Sequence, residues 1–352
     1  MLNPLAQDLD HVLAHTAPVW DELRSAALFL TGGTGFFGCW ILESFLWANE
    51  KLDLGASATV LTRDPDRFRA RVPRLANHPA IRLHTGDVRS FAFPEGHFSH
   101  VMHAATDASA LLNRDRPLDM LDTIVEGTRR VLDFSVACGA RKFLLASSGA
   151  VYGKQPPDLP RVPETYTGAP DTMDPGSAYG EGKRIAELLC AIYRKSFGLE
   201  TKIARGFAFV GPYMQLDAHF AIGNFIRDSL QGRPIRITGD GTPVRSYLYA
   251  ADLMIWLWTI LAQGEPGRPY NVGSARDFTI AEIASTVAGM RSACGVEIKL
   301  RPEPGAGRER YVPCTARAQR EMGLRESVSL ASAVRRTEKW FASHNPEGVP
   351  AQ

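Results

Sequence analysis

The sequence is short of the features that would commit a protein to a special environment. Its 352 residues hold five cysteines, Cys39, Cys138, Cys190, Cys294 and Cys314, which are far apart and odd in number. There is no Cys-x-x-Cys pair and no Cys/His spacing suited to a metal, so neither a disulfide framework nor a metal site is expected. Reduced thiols in the cytoplasm are the expectation instead. Long apolar runs are also missing: the best, "LMIWLWTILA" (residues 253–262), is too short to span a bilayer. The start, "MLNPLAQDLDHVLAHTAPVWDELRSAA", carries acids throughout and lacks the unbroken apolar stretch of a signal peptide. Net charge is small, +2 from 40 Lys/Arg against 38 Asp/Glu, so no general field gathers nucleic acid or an anionic membrane. An anionic small molecule would have to be held by local arginines. Repeats, low-complexity tracts and long linkers are absent too.

What remains is an ordinary globular composition, 45% hydrophobic and 22% charged, long enough for one large domain or two unequal parts. Residues 1–25 read as a helical extension. Leu9, Val12 and Leu13 share one face, and Pro18 is expected to interrupt the helix before Val19, Trp20 and Leu23. From residue 26 to about 210 strand and helix patterns alternate. Strands are expected at "AALFL", "ATVLT", "IRLHTGD", "HVMHAA", "KFLLASS" and "TKIARG". Helices are expected over residues 35–49 and 118–138, in a basic stretch over 66–75, and from Tyr179 onward. Such alternation predicts an α/β fold with a doubly wound parallel sheet. Residues 211–352 mix short helices and strands with frequent Gly and Pro, and read as a smaller, partly interleaved lobe.

The first strand runs into "TGGTGFFG", which opens a helix. Gly32, Gly35 and Gly38 are spaced to make a tight turn, bring backbone close to a pyrophosphate and let helix pack on strand. The helix N-terminus supplies free N–H groups and a positive dipole. A dinucleotide is expected there. The second strand ends "VLTRDP". Thr62 stands where a carboxylate would bind both ribose hydroxyls, and Arg63 follows. That pair favours the 2′-phosphate of NADP(H) over NAD(H), although Asp64, two residues on, would restore an acid.

"LASSGAVYG" ends another apolar strand with two hydroxyls and no carboxylate until Asp158. "SAYGEGK" sets Tyr179 and Lys183 four apart, on one helix face. An ammonium beside a phenol favours the phenolate and suits it to proton transfer. The lysine can also hold a ribose hydroxyl. Gly180 and Gly182 between them could let a cofactor lie close.

Glycine turn, strand-end serines and Tyr-Lys, in that order, resemble the extended short-chain dehydrogenase/reductase family of nucleotide-sugar epimerases, dehydratases and reductases. The likeness extends through "TGDV", "HAAT", "ARGFAFVGP", "GDGTPVRSYLYAADL", "YNVG" and "PGAGRERY". It implies a Rossmann domain with a smaller C-terminal α/β substrate-binding lobe. It implies Ser148, Tyr179 and Lys183 as the catalytic set, and a cofactor held by Gly32, Thr34, Gly35, Phe36, Phe37, Gly38, Arg63, Asp87, Val88, Ala104, Ala105, Thr106, Tyr179, Lys183 and Phe207. A nucleotide-sugar substrate would meet Ser148, Phe220, Asn224, Arg245 and Arg308, the two arginines on its diphosphate. A homodimer through the helices over 118–138 and from Tyr179 is also implied, with Leu121, Val125, Leu188 and Leu189 available to it.

Three departures from the family pattern narrow the expectation. Sugar 4,6-dehydratases carry Asp-Glu before "VYG", where Gly149-Ala150 stand here. Phe-Asn-x-Tyr-Gly-Pro is replaced by residues 207–212, "FAFVGP". The usual Asn three residues before Gly127 is Ile124, which would leave out a supporting polar network. Loss of water needs an acid and a base at the leaving hydroxyl. The expectation is therefore hydride transfer without dehydration: an NADP(H)-dependent reductase of a nucleotide-activated 4-keto-6-deoxyhexose. A 4-epimerase that retains its cofactor is the alternative, and a non-catalytic dinucleotide-binding regulator the alternative from another class.

Overall fold

Leu28, Phe29 and Leu30 have no exposure on either face of the first strand, which requires a sheet covered on both sides. The computed structural model of the chain, which describes residues 3–106, 110–218, 220–291, 295–303 and 307–344, contains that sheet. Its first six strands are β1 (Ala27–Thr31), β2 (Ser57–Thr62), β3 (Ile81–Thr85), β4 (His100–His103), β5 (Lys142–Ser148) and β6 (Glu200–Gly206). Later come the short β7 (Phe209–Val210), β8 (Ile235–Ile237), β9 (Val244–Arg245), β10 (Leu248–Tyr249), β11 (Pro269–Val272), β12 (Phe278–Thr279), β13 (Val296–Ile298) and β14 (Arg310–Tyr311). The large sheet has the order β11-β6-β5-β4-β1-β2-β3, and every pairing in it is parallel. This is the doubly wound Rossmann arrangement, with its direction of winding reversed between β1 and β4.

The helices are α1 (Ala6–Trp20), α2 (Phe36–Lys51), α3 (Pro65–Arg71), α4 (Pro73–Ala76), α5 (Ala110–Asp115), α6 (Pro117–Ala137), α7 (Ala178–Phe197), α8 (Ala221–Leu230), α9 (Ala250–Gln263), α10 (Ile280–Ala288), α11 (Ala316–Met322) and α12 (Leu330–His344). On one face α1, α2 and α9 pack around Trp20, Trp40 and Trp258; on the other α6 and α7 cover Phe29, Phe143 and Ile203. The remaining strands form small sheets, β10-β7, β12-β9-β14 and β13-β8, among α8, α10 and α12. No helix among the described residues is long and apolar enough to cross a membrane. Cys39, Cys138, Cys190 and Cys314 are free thiols, and Cys294 lies outside the described residues.

Two local expectations fail for identifiable reasons. Pro18 does not interrupt the first helix, which runs through it to Trp20. Trp20 has no exposure, lies 4.8 Å from Trp258 between ring centroids, and donates to Thr16 Oγ1 at 2.9 Å. Burying so large a ring offsets the roughly 3 kcal/mol that an internal proline costs. The basic stretch over 66–75 is two helices rather than one, because Pro73 starts α4 after Val72 leaves helical geometry. Of the apolar residues expected at a self-association surface, Leu188 is 60% exposed beside exposed Ile185 and Ile192, whereas Leu189 packs inward.

The strands' C-terminal ends carry the site described next; their N-terminal ends are pinned by one carboxylate. Glu22 accepts from Lys142 Nζ and pairs with His100 Nε2, each at 2.7 Å, tying α1's end to β5 and β4. Partial burial pushes its pKa up, but the bonds from His100 and Lys142 outweigh this and hold it at about 2. A folded pKa below the unfolded 4.5 contributes stability above that value, lost as pH falls through about 2. Glu22→Gln should therefore lower the melting temperature above pH 4.5, and the gap from the parent should close by about pH 2.

Candidate active site

The turn after β1 is built by contacts no side chain would permit. Gly32 has φ +71°, and a Cβ there would stand 2.4 Å from the Ala104 carbonyl oxygen, so the turn seats directly on the end of β4. A Cβ on Gly38 would lie 2.3 Å from Gly33 Cα. Gly35 begins α2 with no side-chain cap, which leaves the first N–H groups of the helix facing outward. Thr34 and Phe36 lie along the turn, and Phe37 packs edge-on to Phe209 at 5.1 Å. A pyrophosphate fits this cradle.

At the end of β2, Thr62 is buried and its hydroxyl accepts from the Asp64 N–H at 3.3 Å. Asp64 caps α3, accepting from the Arg67 N–H at 2.9 Å. One oxygen of its exposed carboxylate is thus engaged by the helix. Arg63 is exposed and makes no ion pair among the described residues. Arg71 reaches from α3 to the Thr34 carbonyl and to Cys39 Sγ at 3.7 Å. It too lacks a carboxylate partner among the described residues. Asp87 is bound by Arg89 at 2.9 Å, and Val88 is buried where a Cβ on Gly127 would be 2.9 Å away.

The parallel register delivers the remaining groups to the same edge. β4 ends into Ala104, Ala105 and Thr106, with the Ala105 N–H donating to Thr31 Oγ1 at 3.2 Å. β5 ends at Ser148, whose Oγ accepts from the Ala150 N–H at 3.1 Å. α7 brings Tyr179 and Lys183, and Asn113 fixes that helix start by accepting from the Tyr179 N–H at 3.0 Å and donating to Gly176 O at 2.7 Å. Lys183 Nζ donates to Thr106 Oγ1 and to Ala146 O, both at 2.8 Å, and lies 5.9 Å from the Tyr179 ring centroid. Ser148, Tyr179, Lys183 and Thr106 therefore meet.

Burial dominates their ionisation. It pulls the Lys183 ammonium down to about 8 against the opposing charge of Glu187. It raises the Tyr179 phenol above its ordinary value, with the Ser148 hydroxyl working the other way. The phenol is thus raised, where a lowered one was expected beside the lysine, because desolvation is the largest influence on it. His103, wholly buried between Thr31 and Thr128, is driven down to about 3 by burial and Lys183 and is neutral.

Several residues not singled out in the sequence complete the site. Ser147 donates to Glu187 at 2.5 Å, and Arg205 grips the same carboxylate at 2.6 Å. Arg205 also donates to the Tyr152 hydroxyl at 2.8 Å, which donates to Asn271 at 2.7 Å. A polar network is therefore present although Ile124 holds the expected Asn position. Ile124 is buried and sits where a Cβ on Gly182 would be 3.2 Å away. Gly180 likewise abuts Pro170 and Ala150 O, so these two glycines serve helix packing rather than a cofactor's approach. Tyr311, on β14, comes from the small β12-β9-β14 sheet. Its ring packs on Phe207 at 4.7 Å, and its hydroxyl would lie 2.7 Å from a Cβ on Gly149. The sequence signal for Tyr311 was its place in "PGAGRERY", of which residues 304–306 lie outside the described set.

The residues expected at the substrate are more dispersed. Arg245 pairs with Glu309 at 2.5 Å and its charge acts on the Tyr311 phenol. Arg308 is exposed, and its charge acts on Glu282. Phe220 and Asn224 begin α8, where Asn224 accepts from Arg227 at 3.2 Å. No group of His, Cys, Asp and Glu that could hold a metal occurs among the described residues.

Comparison with known proteins agrees with this geometry. The model of the NAD dependent epimerase/dehydratase family matches residues 28–273. The chain is 31% identical to UDP-glucuronic acid decarboxylase 6 of Arabidopsis thaliana over 332 residues, 92% of this chain and 93% of that protein. It is 29% identical to UDP-glucuronic acid decarboxylase 1 of Danio rerio over 315 residues, covering 90% of this chain and 72% of that protein. Among solved structures, UDP-glucose 4-epimerase from Thermotoga maritima aligns with a TM-score of 0.75 at 20% identity, over 90% of this chain and 99% of that one. The dTDP-glucose 4,6-dehydratase DesIV from Streptomyces venezuelae, solved with NAD bound, aligns with a TM-score of 0.76 at 24% identity, over 91% of this chain and 98% of that one.

The buried lysine has a measurable cost. Its folded pKa lies below the 10.5 of an ordinary lysine, so between about 8 and 10.5 the unfolded chain binds more protons and stability rises with pH. Lys183→Met should therefore melt above the parent at neutral pH, and that advantage should shrink as pH climbs through this window. Melting curves taken across it provide the check.

Proposed function

The chain belongs to the NAD dependent epimerase/dehydratase family, and on that premise we propose that it is an NADP(H)-dependent reductase of a nucleotide-activated 4-keto-6-deoxyhexose. The observation that carries this is the filled space beside the serines. Gly149 and Ala150 stand where an acid and a base for loss of water would be needed, and the Tyr311 hydroxyl and Phe207 ring occupy the room a side chain at 149 would take. Elimination has no carboxylate to use there, whereas proton exchange at one oxygen has Tyr179 and Ser148.

In this reading Gly32, Thr34, Gly35, Phe36, Phe37, Gly38, Asp87, Val88, Ala104, Ala105, Thr106 and Phe207 would hold the dinucleotide, which when bound would supply the hydride for reduction of the keto carbon. Lys183 holds a ribose hydroxyl and keeps positive charge beside the phenol. Tyr179 gives its proton to the sugar oxygen as negative charge develops there. Ser148 donates a hydrogen bond to that oxygen, one that strengthens in the transition state. Arg63, with no ion pair, and Arg71, anchored on the turn, support the choice of NADP(H), since two guanidinium groups suit a 2′-phosphate. Arg245 and Arg308 would take the diphosphate of the sugar nucleotide, and Phe220 and Asn224 its remaining surface.

A second reading is favoured by the relatives: a cofactor-retaining enzyme that oxidises a sugar hydroxyl and returns the hydride, as a decarboxylase of a uronic acid or as a 4-epimerase. The two separate in one assay. NADPH with a 4-keto-6-deoxyhexose nucleotide should be consumed; carbon dioxide from UDP-glucuronic acid, or an epimer from a UDP-hexose, without net NADPH consumption would transfer the assignment to the second reading.

Tyr179→Phe keeps the ring and removes the proton, so turnover should fall by about 10² to 10⁴ while NADPH affinity holds. Wild-type turnover in that variant would remove Tyr179 from the mechanism. Arg63→Ala should weaken NADPH by roughly 1.5–3 kcal/mol and leave NADH nearly unchanged, read as dissociation constants from cofactor fluorescence. Equal losses for both would count against the 2′-phosphate.

A further inference from the structure

Lys183 and Glu187 stand four residues apart on α7, so their side chains share one helix face and attract one another. Their head groups dock on successive residues of β5: Lys183 Nζ donates to Ala146 O at 2.8 Å, and Glu187 accepts from Ser147 Oγ at 2.5 Å. Yet they do not pair. Among the described residues Glu187 has its ion pair with Arg205, and Lys183 has none. Arg205 comes from β6, directly across from Ser147 in the parallel register. Its Nη2 reaches Glu187 Oε2 at 2.6 Å and its Nε reaches Oε1 at 3.0 Å, a two-point grip that only a guanidinium makes. With Ser147 on Oε1, both carboxylate oxygens are engaged. The guanidinium is itself held in place. Its Nη1 donates to the Tyr152 hydroxyl at 2.8 Å, which donates to Asn271 Oδ1 at 2.7 Å. Asn271 is wholly buried and donates to the Val162 and Cys314 carbonyls, so the chain of bonds ends on backbone.

A buried carboxylate without its own cation would turn to the nearest unpaired ammonium. The other titratable groups facing Lys183 offer it no negative charge. His103 from β4 is neutral, and burial keeps the Tyr179 phenol and the Cys190 thiol of α7 protonated. Glu187 is therefore the anion that would capture Lys183. We propose that Arg205 is a positioning residue that acts on Lys183 through Glu187: by holding that carboxylate, with Ser147, against the β5–β6 strand pair, it prevents an ion pair within α7 and leaves the ammonium to Thr106, Ala146 and the cofactor ribose. The lysine thus keeps a charge in the site without a carboxylate on it, and its three protons stay available to neutral oxygens. The inference rests on the reading that Lys183 holds a ribose hydroxyl, but its first test needs neither cofactor nor substrate.

The ionisation of Lys183 can be followed by nuclear magnetic resonance in the full chain carrying carbon-labelled lysine, as the ε-methylene signal that is missing from Lys183→Met. Arg205→Met should raise its midpoint by about 1 pH unit or more, the effect of an opposite charge arriving within a few ångströms. Adding Glu187→Gln should return the midpoint to the parent's or below, because a neutral amide does not draw the ammonium. A role for Arg205 in packing alone would give no such reversal. Arg205→Lys keeps a charge but not the two-point grip. It should raise the midpoint less, again reversed by Glu187→Gln, and this pair decides the matter where Arg205→Met does not fold. Cofactor binding should follow the lysine. The dissociation constant for NADPH, read from cofactor fluorescence, should weaken roughly 10-fold in Arg205→Met, the scale of a lost hydrogen bond from a charged donor, and recover on addition of Glu187→Gln. A midpoint that stays put in the Arg205 variants, or a rise that Glu187→Gln does not reverse, overturns the proposal. Parent-like NADPH affinity in Lys183→Met overturns the ribose assignment alone, and the titration still decides the role of Arg205.

Discussion

A buried ammonium is the constraint around which the site is arranged. Lys183 is enclosed, and among the described residues it has two oxygen partners, Thr106 Oγ1 and Ala146 O, and no carboxylate in contact. Charge in such a place is costly unless hydrogen-bonded from several sides. The cost explains the neighbours. Thr106 must come off the end of β4 at the height where α7 delivers the lysine. His103 must stay neutral. Glu187, one turn along α7, stands close enough to moderate the lysine's pKa but is itself taken up by Arg205 and Ser147. The Glu187–Arg205 pair then reaches Tyr152 and Asn271, so the arrangement extends from the centre of the sheet to its last strand. An ammonium poised near neutrality is also what a phenol in proton transfer needs beside it.

The legible parts of the molecule are those whose physics is local. Three glycines after an apolar strand, strand and helix in alternation, and a Tyr-Lys pair on one helix face are each fixed by neighbours a few residues apart, and the fold follows from them. What escaped is non-local. Asn113 caps a helix that begins far along the chain, and nothing in "LLNRD" says so. Tyr311 meets Phe207 and the Gly149 backbone from more than a hundred residues away. Arg205 sits in the apolar strand "TKIARG", where a charge inside a covered sheet was itself a signal that a buried carboxylate must face it. The local role of Asp64 was readable: an acid three residues before an N–H it can accept from is a helix cap. Pro18 misled because its local cost was read without the burial of Trp20 that outweighs it.

Gly149 shows how packing can forbid a side chain at one position. Where a side chain would begin, a phenol from another lobe already stands, and an aromatic ring beside it closes the remaining room. A carboxylate introduced there by substitution alone would displace Tyr311 and Phe207 together.

The strand β11 also ties a late segment of the chain to the large sheet. It lies far along the chain yet pairs with β6 from Pro269↔Ile203 to Val272↔Gly206 and forms that edge of the large sheet. Remove everything after β6, and the edge of β6 presents its unpaired N–H and C=O groups to solvent, a template for pairing with other chains. Backbone pairing joins this late segment to the large sheet, so a fragment ending after β6 would expose the longer β6 edge and be prone to aggregate, and a chain cut between β6 and β11 should yield two pieces that stay associated.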